Sequence, residues 1–217
     1  MLDNRQAIKP ISYFKIKSGK PVSRELESID AIVLHQMGTS FDVTQRQIKI
    51  NGSLENAVKV RVAKVKAHFA VINQWPEFVY NNDAALYMES ANGLNSRSVS
   101  IEIEGNYPIS SNDRLSQSLA DKAISAMRFI KSQCPNMKYV FAHRQSYFNR
   151  VRDPGQEIWQ KVALKSGLQI EPNFTVGSGN PIPSNWLDSA SDKLSDILVE
   201  PNTNQLLLIL VGIILLK

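Results

Sequence analysis

Short apolar runs alternate with segments of helical periodicity along the middle of the chain. The runs are rich in β-branched or aromatic residues and bounded by polar or Gly and Pro positions, a pattern typical of strands. The predicted strands cover residues 29–36, 67–73, 78–80, 98–104 and 138–142. Within 98–104, apolar and polar side chains alternate strictly, so that strand has one apolar face and one face carrying Ser98, Ser100, Glu102 and Glu104.

Segments with apolar residues at helical spacing separate the strands. The predicted helices cover residues 42–50, 54–66, 113–132 and about 154–165. Ser53 and Asp153 stand where the second and the last of these helices would have their N-caps. Because strands alternate with helices, residues 28–167 are predicted to form one α/β domain, a central mixed β-sheet flanked by helices.

The two ends of the chain differ from this domain. Residues 1–27 are polar and form an N-terminal extension, and residues 168–184, with several Pro and Gly, predict a linker. Residues 185–200 have the periodicity of an amphipathic helix.

The tail, residues 205–217, carries an uninterrupted apolar run over 206–216. As a helix this run would span about 17 Å, too short for a bilayer core of about 30 Å. We expect the tail to anchor the protein to a membrane or virion partner, with a buried terminal strand or helix as the alternative.

Composition and charge narrow the partners. The net charge of +5 over 217 residues favours an anionic partner or simply serves solubility. The densest basic stretch, 59–66, has no interleaved aromatic residues, so we expect no nucleic-acid binding. A lone Cys134 excludes an intrachain disulfide. The polar first residues lack the apolar core of a secretory signal, so no signal peptide is expected.

Two histidines and two carboxylates stand out at the ends of predicted strands. His35 and His143 each end an apolar run, Asp153 follows ten residues after His143, and Glu102 lies in the alternating strand. Two imidazoles and a carboxylate are the ligands of a catalytic zinc that keeps a fourth position for water. The alternatives are hydrogen-bonded core or surface histidines, an N-capping Asp153, and a Glu102 facing solvent on an edge strand.

Several local motifs in one order resemble a known family. They are IVLHQMG (32–38), AHFAVI (67–72), NSRSVSIEIEG (95–105), AHR (142–144) and DPG (153–155). Together they resemble the zinc-dependent N-acetylmuramoyl-L-alanine amidases, the family that includes phage T7 lysozyme and the peptidoglycan recognition proteins. The resemblance covers about residues 28–167 and implies the fold of that family.

The resemblance also implies roles for individual residues. It makes His35, His143 and Asp153 the ligands of a Zn²⁺ ion and Glu102 the catalytic carboxylate. His68 and Asn95 match positions on the substrate side, and for His68 the alternative is a strand residue with a structural role. The family has a subgroup with Tyr before the histidine of the second strand, and Ala67 at that position places this chain in the Glu-dependent subgroup.

The chain departs from the family pattern at two places. Many relatives have Lys two residues before the third ligand, where this chain has Val151. Arg150 and Arg152 flank that position, and we predict that one of them supplies the missing cation, Arg152 in the first place and Arg150 as the alternative. Residues 87–90 replace a Trp-His pair found in the substrate groove of relatives.

These observations predict a peptidoglycan hydrolase that cleaves the amide between N-acetylmuramic acid and L-alanine. Its substrate would be bacterial peptidoglycan or muropeptides, and its role that of a phage or virus enzyme for lysis or cell penetration. The alternatives are a peptidoglycan-binding module without activity and a structural membrane or virion component with a vestigial amidase fold.

Overall fold

The computed structural model describes residues 23–107 and 114–188. Its strands are β1 (Ala31–Gln36), β2 (Phe69–Val71), β3 (Phe78–Tyr80), β4 (Ser98–Ile103), β5 (Tyr139–Ala142) and β6 (Gln169–Ile170). Its helices are α1 (Gln45–Asn51), α2 (Leu54–Val62), α3 (Gln117–Gln133) and α4 (Gln156–Ile158), the last continuing as a π-helical turn over Trp159–Ala163.

The six strands form one mixed sheet in the order β3-β2-β4-β1-β5-β6. All neighbouring pairs are parallel except β2 and β3, which are antiparallel. In the register of the central strands, His35 lies opposite Glu102 and Leu34 lies opposite Ala142. Because the central strands are parallel, their carboxyl ends meet at one edge of the sheet, which therefore carries the predicted site residues.

Both faces of the sheet are covered, which confirms the predicted α/β class. The apolar face of β4, with Val99, Ile101 and Ile103, packs in the large core cluster that also contains the buried residues of α3. Ala70 and Ile72 belong to a second cluster with Val58 and Val62 of α2. Since β4 lies between β2 and β1, it is not an edge strand, and Ser98, Ser100 and Glu104 on its polar face are buried.

Of the two helix N-caps predicted from the sequence, the structure confirms one. The Ser53 side chain accepts a hydrogen bond from the backbone N–H of Asn56 and caps α2, as predicted. The predicted N-cap role of Asp153 is wrong, because α4 begins at Gln156 after Gly155, without a side-chain cap. The Asp153 carboxylate instead accepts bonds from the Gln36 backbone and from His143.

The segment predicted as a linker packs on the domain. Residues 169–170 form β6 beside β5, and the Gln145 side chain donates to the backbone oxygens of Glu171 and Phe174. Trp186, in a 3-10 turn, is 4% exposed. Residues 168–186 therefore belong to the folded domain, because their backbone hydrogen bonds and apolar side chains are used within it.

The remaining terminal predictions lie mostly outside the described residues. This holds for residues 1–22, for most of the predicted helix 185–200 and for the tail 205–217. Within 23–107 and 114–188, no helix has the length and apolar character needed to cross a membrane.

Candidate metal centre

His35, His143 and Asp153 converge at the carboxyl edge of the sheet. The Asp153 Oδ2 atom lies 2.9 Å from His143 Nδ1 and 3.8 Å from His35 Nδ1. The two imidazole rings are 4.4 Å apart between centroids. One potential ligand atom from each residue lies within 4.8 Å of the others. The structure thus brings together the three residues that were predicted from the sequence to be metal ligands.

Two parallel strands and one anchored loop position the three side chains. His35 lies near the end of β1, and His143 directly follows β5, the strand that pairs with β1. Asp153 comes from a loop that is tied to both strands. Its Oδ1 accepts the backbone N–H of Gln36 at 2.9 Å, and its carbonyl oxygen accepts the N–H of Arg144 at 2.7 Å.

The donor set and its spacing fit zinc. Tetrahedral zinc with ligand bonds near 2.1 Å separates its ligand atoms by about 3.3–3.4 Å. The two Asp153–histidine distances, 2.9 and 3.8 Å, bracket that separation. Both imidazoles direct Nδ1 at the same carboxylate oxygen, as nitrogen ligands around one cation would. The donor types and these two distances are therefore compatible with a shared zinc ion.

The charges of the three groups depend on one another. Burial favours the neutral acid, but hydrogen bonding with His143 and the nearby His35 outweighs it and holds the pKa of Asp153 well below its usual range. Burial opposes protonation of His35, yet Asp153 and Glu102 raise its pKa. Burial lowers the pKa of His143, and the neighbouring His35 lowers it further. The anionic Asp153 therefore stabilises positive charge at the centre.

Glu102 lies beside the centre and has a carboxylate oxygen that can still accept a hydrogen bond. Its Oε1 lies 4.0 Å from His35 Nδ1, and 20% of its side chain is exposed. Its other oxygen, Oε2, is buried and has no hydrogen-bond partner within the described part of the chain. Burial raises the pKa of Glu102 to about 7, with a smaller opposing effect from His35. A carboxylate poised in this range can both accept and return a proton near neutral pH.

The centre opens into a cleft of about 540 Å³. Besides the centre itself, the cleft is lined by Gln36, Met37, Lys66, Glu89, Ser90, Asn92, Tyr147 and Arg150. Three of them come from residues 84–95, a segment that we call the cleft loop. Lys66 and Tyr147 were missed in the sequence, because both lie outside the site motifs. Glu89 belongs to residues 87–90, the segment that the sequence analysis compared with the substrate groove of relatives.

The structure places Arg150, and not Arg152, in the cleft. Arg150 lines it, and its charge makes a small downward contribution to the pKa values of His35, His143 and Glu102, which for His35 and Glu102 is outweighed by other groups. Arg152 does not line the cleft, and its backbone oxygen accepts a bond from the Gln36 side chain. Arg150 lies within two consecutive turns, in which its N–H donates to the oxygen of Tyr147 and its own oxygen accepts the N–H of Asp153.

His68 and Asn95 lie behind the cleft and do not line it. His68 is 1% exposed, and its ring contacts Ser100 and the backbone oxygen of Leu86. The Asn95 side chain accepts the backbone N–H groups of Ser90 and Ala91 within the cleft loop. In the structure both residues contact protein groups that shape the wall, so any effect on substrate would be indirect.

Gln36 is a further organising residue that the sequence analysis missed. Its Oε1 accepts the backbone N–H groups of Tyr107 and Gly155, and its Nε2 donates to Asn106 and Arg152. The side chain thus joins the end of β1 to the loop that carries Asp153. Its place directly after His35 is the only signal in the sequence.

Comparison with known proteins identifies the family of the chain. The sequence matches the N-acetylmuramoyl-L-alanine amidase family over residues 25–156, and the chain belongs to that family. Among solved structures, bumblebee peptidoglycan recognition protein SA is similar with a TM-score of 0.50 at 14% identity, over 73% of this chain and 92% of that chain. A search of curated proteins finds no match to the sequence.

Two further solved structures are similar. The complex of peptidoglycan recognition proteins LCa and LCx with tracheal cytotoxin has a TM-score of 0.51 at 12% identity, over 70% of this chain and 90% of that chain. The endolysin LysCS of Clostridium intestinale, an N-acetylmuramoyl-L-alanine amidase, has a TM-score of 0.45 at 18% identity, over 68% of this chain and 90% of that chain. The two recognition-protein matches agree with the predicted fold.

Proposed function

We propose that this protein is a zinc-dependent N-acetylmuramoyl-L-alanine amidase of the Glu-dependent subgroup, acting on bacterial peptidoglycan or muropeptides. The observation that carries the proposal is the position of Glu102. It lies 4.0 Å from His35 and faces an open cleft together with the three candidate ligands. A site for binding alone has no need of a carboxylate with an unpaired buried oxygen beside a metal centre.

In the proposed reaction, Glu102 moves the proton. When bound to His35, His143 and Asp153, zinc would polarise the scissile carbonyl and lower the pKa of a water molecule. Glu102 accepts a proton as water attacks the amide carbon and then delivers it to the nitrogen of the departing L-alanine. The C–N bond breaks as the nitrogen is protonated, because an amide nitrogen leaves poorly until it carries the extra proton.

Arg150 supplies the cation of the cleft in this proposal. No acidic side chain within the described residues lies within ion-pair distance of it, although Glu89, Glu102 and Asp153 line the same cleft. Its guanidinium is therefore available to an anionic group of the substrate or to the oxygen that gains charge during attack. It takes the place that the sequence analysis assigned to Arg152.

Digestion of purified peptidoglycan tests the proposal directly. Wild type should release new L-alanine amino groups, lose the activity to a chelator and regain it with zinc. Glu102→Gln keeps the shape of the side chain and should lower kcat about 10²–10⁴-fold, while Glu77→Gln, exposed and outside the cleft, should leave kcat unchanged. Peptidoglycan binding by wild type without amine release would contradict the proposal and favour a recognition module.

The proposal includes a role as a phage or virus enzyme for lysis or cell penetration, attached to a membrane or virion partner through residues 205–217. Its support is the apolar run 206–216 in the sequence. Membrane flotation of the full chain against a 1–204 truncation tests the attachment. Equal flotation of the two would contradict it.

A further inference from the structure

Arg24 lies outside every motif, yet its guanidinium spans the two ends of the cleft loop. Nη1 donates to the backbone oxygen of Asn95 at 2.5 Å. Nη2 donates to the backbone oxygens of Ala84 at 3.0 Å and Ser98 at 2.6 Å. The backbone N–H of Arg24 also donates to the oxygen of Ala85 at 2.8 Å. One side chain thus ties the first and last residues of the loop to each other and to β4.

The charge of Arg24 is satisfied by the main chain. Within the described residues, no carboxylate lies at ion-pair distance from it. Burial lowers the pKa of Arg24 to about 10, so the guanidinium remains a cation at neutral pH. Burying a cation costs free energy unless polar groups surround it, and charged donors form stronger hydrogen bonds than neutral ones. This cation therefore fixes backbone geometry in the wall of the cleft.

His68 and Asn95 complete the same clamp. The backbone N–H of Ser100 donates to His68 Nδ1 at 3.0 Å, which favours the ring proton on Nε2, 2.9 Å from the oxygen of Leu86 and 3.3 Å from Arg24 Nη2. The Asn95 Oδ1 atom accepts the N–H groups of Ser90 at 3.0 Å and Ala91 at 2.6 Å. These bonds hold the middle of the loop, which carries Glu89 and Ser90 into the cleft.

We propose that Arg24 is a positioning residue that holds the cleft loop in the conformation that binds the peptide portion of the substrate. The inference rests on the proposed amidase function for its kinetic consequence, but the clamp itself can be measured without activity. Arg24 makes no hydrogen bond to the candidate ligands or to Glu102. Replacement of Arg24 should therefore weaken substrate binding and leave the chemical step nearly intact.

Arg24→Lys is the sharpest variant, because it keeps the charge but loses the planar fork that reaches several carbonyl oxygens. Arg61→Lys is the matched control, since Arg61 is a half-buried arginine that donates to a main-chain oxygen, that of Ser40, outside the cleft loop. In Arg24→Lys we expect amide hydrogen exchange in residues 84–95 to become at least about tenfold faster, which corresponds to the loss of about 1.4 kcal/mol. KM should rise by a similar factor with kcat within about twofold, and the control should change neither quantity.

Asn95→Ala provides a second variant if Arg24→Lys does not fold, because it removes two bonds from the loop and leaves Arg24 in place. It should also give faster loop exchange and a raised KM. Unchanged exchange in residues 84–95, or a fall in kcat with unchanged KM, would overturn the inference. A wild type that releases no L-alanine amines would contradict the proposed function instead, while the exchange result would still decide the clamp.

Discussion

His35 lies in β1 and His68 directly precedes β2, the two strands that flank β4, and these two buried histidines have opposite surroundings. They are 2% and 1% exposed. His35 directs Nδ1 at Asp153 and Glu102, and its Nε2 has no hydrogen-bond partner within the described residues. His68 has both ring nitrogens occupied by Ser100 and Leu86. The comparison shows that burial alone does not identify a ligand. What distinguishes the two is whether the polar atoms around the ring are already satisfied.

Replacement of Asp153, the carboxylate that both His35 and His143 face, should give the largest effect on activity. The change should be confined to the candidate metal centre and leave the surroundings of His68 unchanged. Asp153→Asn keeps the size of the side chain but loses the charge that balances a cation between two imidazoles. Zinc content should fall, and amidase activity should drop by more than about 100-fold, the upper end of what the loss of a mere supporting partner costs. Metal analysis and amine release measure the two effects.

Asp121→Asn is the matched control, because Asp121 is an exposed carboxylate on α3. It should bind zinc and cleave substrate as wild type does. If Asp153→Asn retained stoichiometric zinc and activity, the centre would not be the one described.

Comparing Arg150→Ala with Arg152→Ala should show which arginine takes part in catalysis. Since Arg150 lines the cleft and Arg152 does not, kcat should fall about 10²-fold in the first variant, the cost of losing one donor to a developing oxyanion. The second variant should stay within about twofold. The opposite ranking would restore the sequence-based assignment to Arg152.

The smallest effect should be a change with pH in the free energy of unfolding, caused by His68. Burial lowers the pKa of His68 to about 3, with a further contribution from Arg24. Between about pH 6.5 and 3 the unfolded chain binds a proton at this residue and the folded chain does not, so wild-type stability should fall as the pH drops below 6.5.

His68→Gln has no such titration and should lose about 1–3 kcal/mol at pH 7 from unpaired groups. Urea unfolding of both proteins from pH 7 to pH 4 should show their free energies of unfolding converging as the pH falls. Parallel curves would mean that His68 takes up its proton at the same pH in the folded and the unfolded chain, which would contradict the lowered pKa.

Much of the fold and of the centre could be predicted because the signals are local. The strand ending in His35, the alternating strand with Glu102 and the cap at Ser53 each depend on residues within a few positions. The short strand β6 was missed, because two residues carry no periodicity and pair with β5 only once the domain has folded. Asp153 was assigned to a helix cap, since the competing bond from Gln36 comes from a residue 117 positions away.

The amino-acid sequence alone predicted which side chains form the candidate centre, through the family motifs that contain His35, Glu102, His143 and Asp153. These motifs are local, and parallel strands then bring His35, Glu102 and His143 to one edge of the sheet. Only the tertiary structure decided the roles of the residues around it. Arg150, and not Arg152, lies in the cleft wall, within the consecutive turns that link Tyr147, Arg150 and Asp153. The bonds from Ser100 and to Leu86 make His68 a support of that wall. Such choices depend on hydrogen bonds between distant segments, and no local pattern contains them.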